Sequence, residues 1–430
     1  METKEVQKMR KRNMKLFPKY KKISNDYLFY YTVDFLFLTQ IKNISAANVV
    51  LMSSITSLFK IFLQIPANVI VEFLGRRNSI ILGNILNCLY MTIFMMSGSL
   101  FDLILAKFVS ALAWSIKDIA EPSLLNASIP PTKYKGDIFS KINAKGKSGY
   151  YIVGAISRMI AGFLFAINGY LPMICSLTVL IIVTLMSVFY IEPIQKKRTN
   201  EIAVKKQIED IKEGFVFVMK SNRLKALILG ASLIASLLSI MLNYQTSLFQ
   251  DLEIPSYLIG FLAAAISLSS AYASKKQQAF HEKFRNKSIL TVALMASISS
   301  AFAGVAGIKA DEFSVLILII ILLYVVERFA HGMYYTIIDR YFTNFTNKDI
   351  DTKIFAVKNL FVNIISAIMG IMASFILDKM STAYCMIIVG LIFTILYILM
   401  EKYMKTRVGL EPEEYSKEER KYDELTELHS

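Results

Sequence analysis

Apolar runs and short polar breaks alternate along the whole chain, and the runs are long. Nearly charge-free stretches recur at Ser79 to Leu100, Leu171 to Tyr190, Ser288 to Ile308 and Ser381 to Met400. Each is long enough, as a helix, to cross a hydrocarbon core of about 30 Å. The pattern predicts twelve spans, at 22–40, 46–70, 79–99, 102–125, 147–168, 171–191, 224–247, 255–274, 287–308, 313–338, 353–377 and 380–401. Every one is long enough to span as a tilted helix. The fold class that follows is an all-α integral membrane protein.

Composition sharpens this reading. Of 430 residues, 55% are hydrophobic and 19% charged, and because the charges are not spread through every segment, a soluble enzyme, a disordered chain and a secreted disulfide scaffold are excluded. Cys88, Cys175 and Cys385 all lie inside apolar runs and read as small buried hydrophobes. The net charge of +15 would raise the question of nucleic acid in a soluble protein; here its placement assigns sides instead. Outside the spans, 39 Lys and Arg residues fall on one side and only Lys42, Lys309 and Lys379 on the other. Basic loops stay cytoplasmic, so both termini and the loops after even-numbered spans are predicted to be cytoplasmic. The basic arm at 1–21 feeds a full-length first span with no small-residue cleavage site behind it, so that span is expected to remain as an anchor.

The longest polar interval between spans, 192–223, carries Lys196-Lys197-Arg198 and then Ile202, Val204, Ile208, Ile211 and Phe215. It reads either as an amphipathic helix on the inner membrane surface or as a solvated basic linker. Either way it divides the chain into bundles at 22–191 and 224–401, followed by a cytoplasmic tail at 402–430. Acidic-then-basic loops follow span 2 (Glu72 to Arg77) and span 8 (Glu282 to Lys287), about half a chain apart. At these residues the sequence resembles the major facilitator superfamily. That family's loop between spans 2 and 3 has Gly, three residues, Asp, a basic residue, any residue, Gly and two basic residues. Gly75, Arg76 and Arg77 fit, Glu72 replaces the Asp, and Asn68 and Phe73 depart from the pattern. The resemblance implies two pseudo-symmetric six-helix bundles, and a cytoplasmic gate in which Glu72 pairs with basic groups and a helix N-terminus.

Nine charged residues lie centrally or near-centrally within the predicted spans: Asp34, Lys60, Lys107, Lys117, Asp118, Glu121, Arg158, Glu327 and Arg328, with Lys358 in span 11. Unpaired, nine such charges would cost on the order of 25 kcal/mol on insertion scales, so they must face a wet cavity or one another. Away from their ends, spans 3, 6, 7, 8, 9 and 12 carry no charged residue, and the resemblance implies that several of the charged spans line or flank a central cavity. Asp34, mid-span 1, is a candidate for proton coupling or for a structural ion pair. On span 4, Lys107, Ala111, Trp114, Asp118 and Glu121 follow spacings that share a helix face, and Lys117 reaches Glu121 at i,i+4. Trp114, the single tryptophan, is a packing residue or a stacking wall for substrate. Arg158 has no carboxylate on its own span, leaving Asp34, Asp118 and Glu121 as candidate partners. Glu327, Arg328 and His331 form a candidate group for substrate or protons. Structural roles are expected for Lys60 and Lys358.

The functional expectation is a secondary active transporter working by alternating access, driven by protons because no phosphate-binding Gly-x-x-x-x-Gly-Lys motif occurs. Its predicted cargo is an amphipathic drug, metabolite or peptide, moved outward across the cytoplasmic (plasma) membrane. Uptake of a small polar nutrient is the alternative; a sensor or lipid flippase of the same fold is a further one. With His281, His331 and His429 as its only histidines, the chain cannot build a two-histidine zinc helix, so neither an enzyme nor a cofactor is expected. Predicted partners are a small-molecule substrate, protons and the bilayer, with no nucleic acid, and a monomeric state.

Overall fold

The computed structural model describes residues 4–130, 135–192, 209, 212–284, 287–310, 312–345 and 351–407. Among them every long regular element is a helix. The sequence dictates several of the helix ends. A capping box between Ser99 and Asp102 starts α5 (Leu100–Ser128), and Ser221 accepts from Leu224 N–H at the start of α8 (Asn222–Asp251). Pro172 occupies the first turn of α7 (Leu171–Val188), where its missing N–H costs nothing. The remaining early helices are α1 (Lys4–Ser24), the three-residue α2 (Asp34–Leu36), α3 (Ala46–Leu74), α4 (Arg76–Met96) and α6 (Lys135–Ile167). After α8 come α9 (Ser256–Phe284), α10 (Ser288–Gly307), α11 (Ser314–Phe345), α12 (Asp351–Leu377) and α13 (Thr382–Arg407).

Two compact units result. The first comprises Met1–Ile44, Ile55–Gln207 and Pro255–Ala264; the second comprises Ser45–Ser54, Ile208–Ile254 and Ala265–Ser430. In unit 1, α4 packs along α5 and α7, and α1 lies against α6, α5 and α7. Its core gathers Phe17, Tyr20, Ile80, Ile116, Leu124, Val183 and Tyr190, all buried. In unit 2, α10 packs on α11 and α13, while α8 packs on α12 and α13. Small residues permit this: a Cβ on Gly304 would come within 2.5 Å of the Ala383 carbonyl, and one on Gly390 within 2.8 Å of the Ser297 carbonyl. Elsewhere large apolar side chains such as Phe101, Ile152, Leu185, Phe302 and Phe375 are exposed, as lipid-facing positions require.

Ten helices among the described residues are long and apolar enough to cross a membrane. The two predicted spans outside that set depart for different reasons. Span 4 is present as the 29-residue α5, and its five charges, Asp102, Lys107, Lys117, Asp118 and Glu121, make it polar. Span 1 is not the continuous helix that its length and apolarity predict. Residues 25–33 are turns and bends, followed by α2 and a π-helical turn over Phe37–Ile41. The break begins where Asp26 turns its carboxylate back onto the Tyr27 N–H (3.0 Å), an alternative to the helical ladder that short acidic side chains offer. It passes through Phe29, whose φ of +65° is left-handed. The basic arm is the docked helix α1. Most of the interval 192–223 lies outside the described residues, and 212–220 are helical.

Candidate transport site

In unit 1 the break in span 1 gathers polar groups from three further helices. Tyr150, from α6, donates its hydroxyl hydrogen to Asp26 Oδ2 (2.8 Å), and Arg158, two turns on, donates from Nη2 to the Tyr150 hydroxyl at 3.4 Å. These groups, with Tyr27, Phe29, Tyr31, Thr32, Gly154 and Ser157, line a small cleft. Arg158 is therefore matched to Asp26, through a tyrosine, rather than to Asp34, Asp118 or Glu121; those three were its candidates because Asp26 lies near a predicted span end. Its presence was signalled by an acidic residue only eight positions before Asp34.

Behind the cleft lies an aromatic layer. The Tyr27 hydroxyl bonds Asn87 Oδ1 (2.7 Å) and Ser110 Oγ (2.9 Å), and the Tyr30 and Tyr90 hydroxyls meet at 2.5 Å. Lys107 reaches the Tyr30 hydroxyl at 3.4 Å and attracts the half-buried Asp34. Trp114 presents its ring to the Lys117 ammonium, 4.6 Å from the centroid, and takes the Tyr27 ring edge-on at 5.4 Å, so a cation and a tyrosine already occupy this platform.

Glu121 belongs to a different group. Lys21 of α1 meets Oε2 at 2.7 Å, Tyr20 donates to Oε1 at 3.0 Å, and Lys117 lies 3.6 Å away. The predicted i,i+4 pair is present, and the dominant partner comes from α1. Burial pushes the Lys21 ammonium down, and Glu121 more than offsets it, leaving its pKa above the ordinary lysine value. Asp118, one turn before Glu121, is exposed. The shared helix face thus separates into a buried structural end and an exposed acid.

In unit 2, Glu327 is fully buried on α11, and neither carboxylate oxygen has a hydrogen-bond partner. Arg328 Nε lies 3.9 Å from its Oε2, too far for a hydrogen bond, and Arg328 Nη2 reaches Gln245 Oε1 of α8 at 3.3 Å. As their adjacency on a helix predicts, the pair does not satisfy itself. The α11 backbone here is clamped by α9: Ser269, Ser270 and Ser274 donate to the carbonyls of Val325, Arg328 and Gly332 at 2.7–2.8 Å. His331 is half-buried one turn from Glu327.

Glu72 is exposed, and the acid at the N-terminus of α4 is Glu192, whose two oxygens accept the backbone N–H groups of Arg76 (2.9 Å) and Arg77 (2.6 Å). Gly75 (φ +81°) turns the chain into α4, and a Cβ there would stand 3.0 Å from the Glu192 carboxyl carbon. Arg76 Nε donates to Ser123 Oγ (2.8 Å), and Arg77 Nη2 to the Val188 carbonyl (2.9 Å). Glu192 is held in place by α1, because the Asn13 amide brackets Ile191, donating to its carbonyl (2.8 Å) and accepting its N–H (3.0 Å). Glu72 lies on the last turns of α3, with its side chain in the open; Glu192 arrives from 116 residues along the chain.

The sequence profile described as Major Facilitator Superfamily matches residues 24–322, and the chain belongs to that family of membrane transporters. No curated protein sequence matches it. Among solved structures, the chain is similar to a single-substitution mutant of the nucleoside transporter NupG (11% identity, 92% of this chain and 98% of that one, TM-score 0.68). It is also similar to a POT family transporter in complex with 5-aminolevulinic acid (12%, 93% and 96%, TM-score 0.60). A third is a bacterial homolog of the human lysosomal transporter Spinster (15%, 99% and 99%, TM-score 0.64). These likenesses establish the major facilitator fold.

Proposed function

We propose that this protein is a proton-coupled secondary transporter that exports an amphipathic small molecule across the cytoplasmic membrane, with both termini cytoplasmic, acting as a monomer. The observation that carries the coupling is Glu327. A carboxyl group sealed in the protein interior without a hydrogen bond, beside an arginine just out of reach, is suited to take up and give off a proton as water gains and loses access. The cleft at the break in span 1 supports the amphipathic cargo, because it sets Asp26 and Arg158 beside Phe29 and Tyr31. The structural relatives, a nucleoside transporter and a POT family transporter holding 5-aminolevulinic acid, indicate solutes of that size.

The test uses inside-out membrane vesicles, in which an exporter loads the lumen. Acidifying the lumen should drive accumulation of amphipathic solutes, and Glu327→Gln should abolish it while leaving solute exchange. Accumulation that ignores the proton gradient, or a Glu327→Gln variant with normal gradient-driven flux, would refute the coupling. Loading only in right-side-out vesicles would reverse the direction.

A further inference from the structure

We propose that the cleft at the broken first span binds the anionic end of its ligand, with Arg158 holding a carboxylate or phosphate oxygen. The inference rests on the transporter reading above and names the chemistry of its cargo. Its basis is an imbalance between the two charged groups of the cleft. Asp26 accepts at both oxygens, at Oδ1 from the Tyr27 N–H at 3.0 Å and at Oδ2 from the Tyr150 hydroxyl at 2.8 Å. An arginine has five N–H donors. Among the described residues Arg158 makes one hydrogen bond, the 3.4 Å contact to Tyr150, and no salt bridge. The protein's own acid is thus held one hydroxyl away from the guanidinium. An incoming cation would meet a carboxylate already hydrogen-bonded at both oxygens and turned into the protein, whereas an incoming anion would meet open donors in the planar fork that suits two oxygens at once.

The rest of the cleft specifies the remainder of the ligand. Phe29 and Tyr31 line it, and Tyr31 is stacked on Tyr27 with ring centroids 5.7 Å apart, so a flat apolar group has a wall to lie against. Phe29 is held there at a left-handed φ of +65°, a conformation costly for an aromatic residue and characteristic of ligand-facing segments. Open guanidinium donors beside a ring wall in a small cleft suit a small aromatic acid or aryl phosphate.

Thermal stability of the purified full-length protein tests this with four probes of one shape: phenylacetate, phenyl phosphate, phenylacetamide and phenethylamine, at millimolar concentration. The anions should raise the melting temperature and the amide and amine should not; which of the two anions acts identifies the oxyanion. Arg158→Gln should weaken anion binding by about 10- to 100-fold, Arg158→Lys should recover part of it, and Asp26→Asn should preserve or strengthen it. Equal stabilisation by amine or amide, no stabilisation by either anion, or undiminished binding by Arg158→Gln would overturn the proposal. Should Arg158→Gln not fold, the four-probe comparison on the unaltered protein and on Asp26→Asn still decides. Equilibrium binding needs no proton gradient. Failure here with intact Glu327-dependent flux removes this site alone, and anion binding without gradient-driven flux removes the transport reading alone.

Discussion

Replacing Glu192 by alanine removes the acid that caps α4, although the residue lies 115 and 116 positions from its partners. The loss comprises two charge-assisted hydrogen bonds, to Arg76 N at 2.9 Å and Arg77 N at 2.6 Å. N-cap deletions cost about 0.5–2 kcal/mol, and the carboxylate's attraction to the helix dipole adds about 0.3–1 kcal/mol. Glu192 is half-buried and water replaces part of what is lost, so about 2 kcal/mol is the working figure. For a unit of this size that lowers the melting temperature by about 4–8 °C. Glu192→Gln keeps an oxygen acceptor and loses the charge, so about half that fall is expected. Asn13→Ala should also loosen the cap, because the Asn13 amide holds Ile191. The control is Glu72→Ala, at an exposed side chain, which should stay within about 0.5 kcal/mol of the parent. Thermal unfolding of the purified variants, with hydrogen exchange at the Arg76 and Arg77 amides, reads the effect. Identical melting temperatures for Glu72→Ala and Glu192→Ala, or unchanged protection at Arg77, would refute the assignment of the cap to Glu192.

Other perturbations follow from the same contacts. Glu121→Gln strips the carboxylate from Lys21, Lys117 and Tyr20 and leaves two cations short of their counter-ion. A loss of about 3–5 kcal/mol is expected, visible as a lower melting temperature, with a smaller loss for Lys21→Met because Lys117 remains. Since the Lys21 pKa is raised, its contribution is complete below the ordinary lysine pKa and fades only as pH climbs through the raised value; a stability–pH profile in which Lys21→Met and the parent differ only above that point would contradict this. Glu327→Leu breaks no hydrogen bond but takes away the carboxylate 3.9 Å from the buried Arg328, so the melting temperature should fall, by less than for Glu121→Gln, while proton-driven flux disappears; an unchanged or raised melting temperature would show that Gln245 alone satisfies Arg328. Gly260→Leu drives a side chain against backbone, the Arg158 carbonyl at 2.8 Å and the Gly162 Cα at 3.0 Å. It should cost about 1–3 kcal/mol, whereas Gly154→Ala, facing only the Tyr150 ring at 3.4 Å, should be tolerated in the same melting assay.

Much of the architecture was legible because membrane insertion is a one-dimensional constraint. Each span must satisfy its own backbone and present apolar side chains to lipid, and both requirements are written in consecutive residues. The helices and the family resemblance at Gly75-Arg76-Arg77 come from such local patterns. The limits appear where a local rule had two outcomes. Residues 22–40 are apolar enough for a helix, yet Asp26, Phe29 and the tyrosines are more stable in a break packed against α4, α5 and α6, where Tyr27 and Tyr30 find Asn87, Ser110 and Tyr90.

Charges show the same division most clearly. Their cost inside a membrane is a property of the residue, so the sequence alone identified Asp34, Glu121, Arg158, Glu327 and Arg328 as groups needing partners or water. Their partners are properties of distance in space. Glu121 takes Lys21 from α1, 100 residues away; Arg158 reaches Asp26 through Tyr150; and the α4 cap comes from Glu192 rather than from Glu72 in the neighbouring loop. Hydrogen bonds and ion pairs act over about 3–4 Å, and only the folded chain brings residues so far apart in sequence within that reach. The same is true of Glu327, whose need for a partner is plain from its position, and whose lack of a hydrogen bond, with Arg328 held at 3.9 Å, is decided by the packing of α11 against α8 and α9.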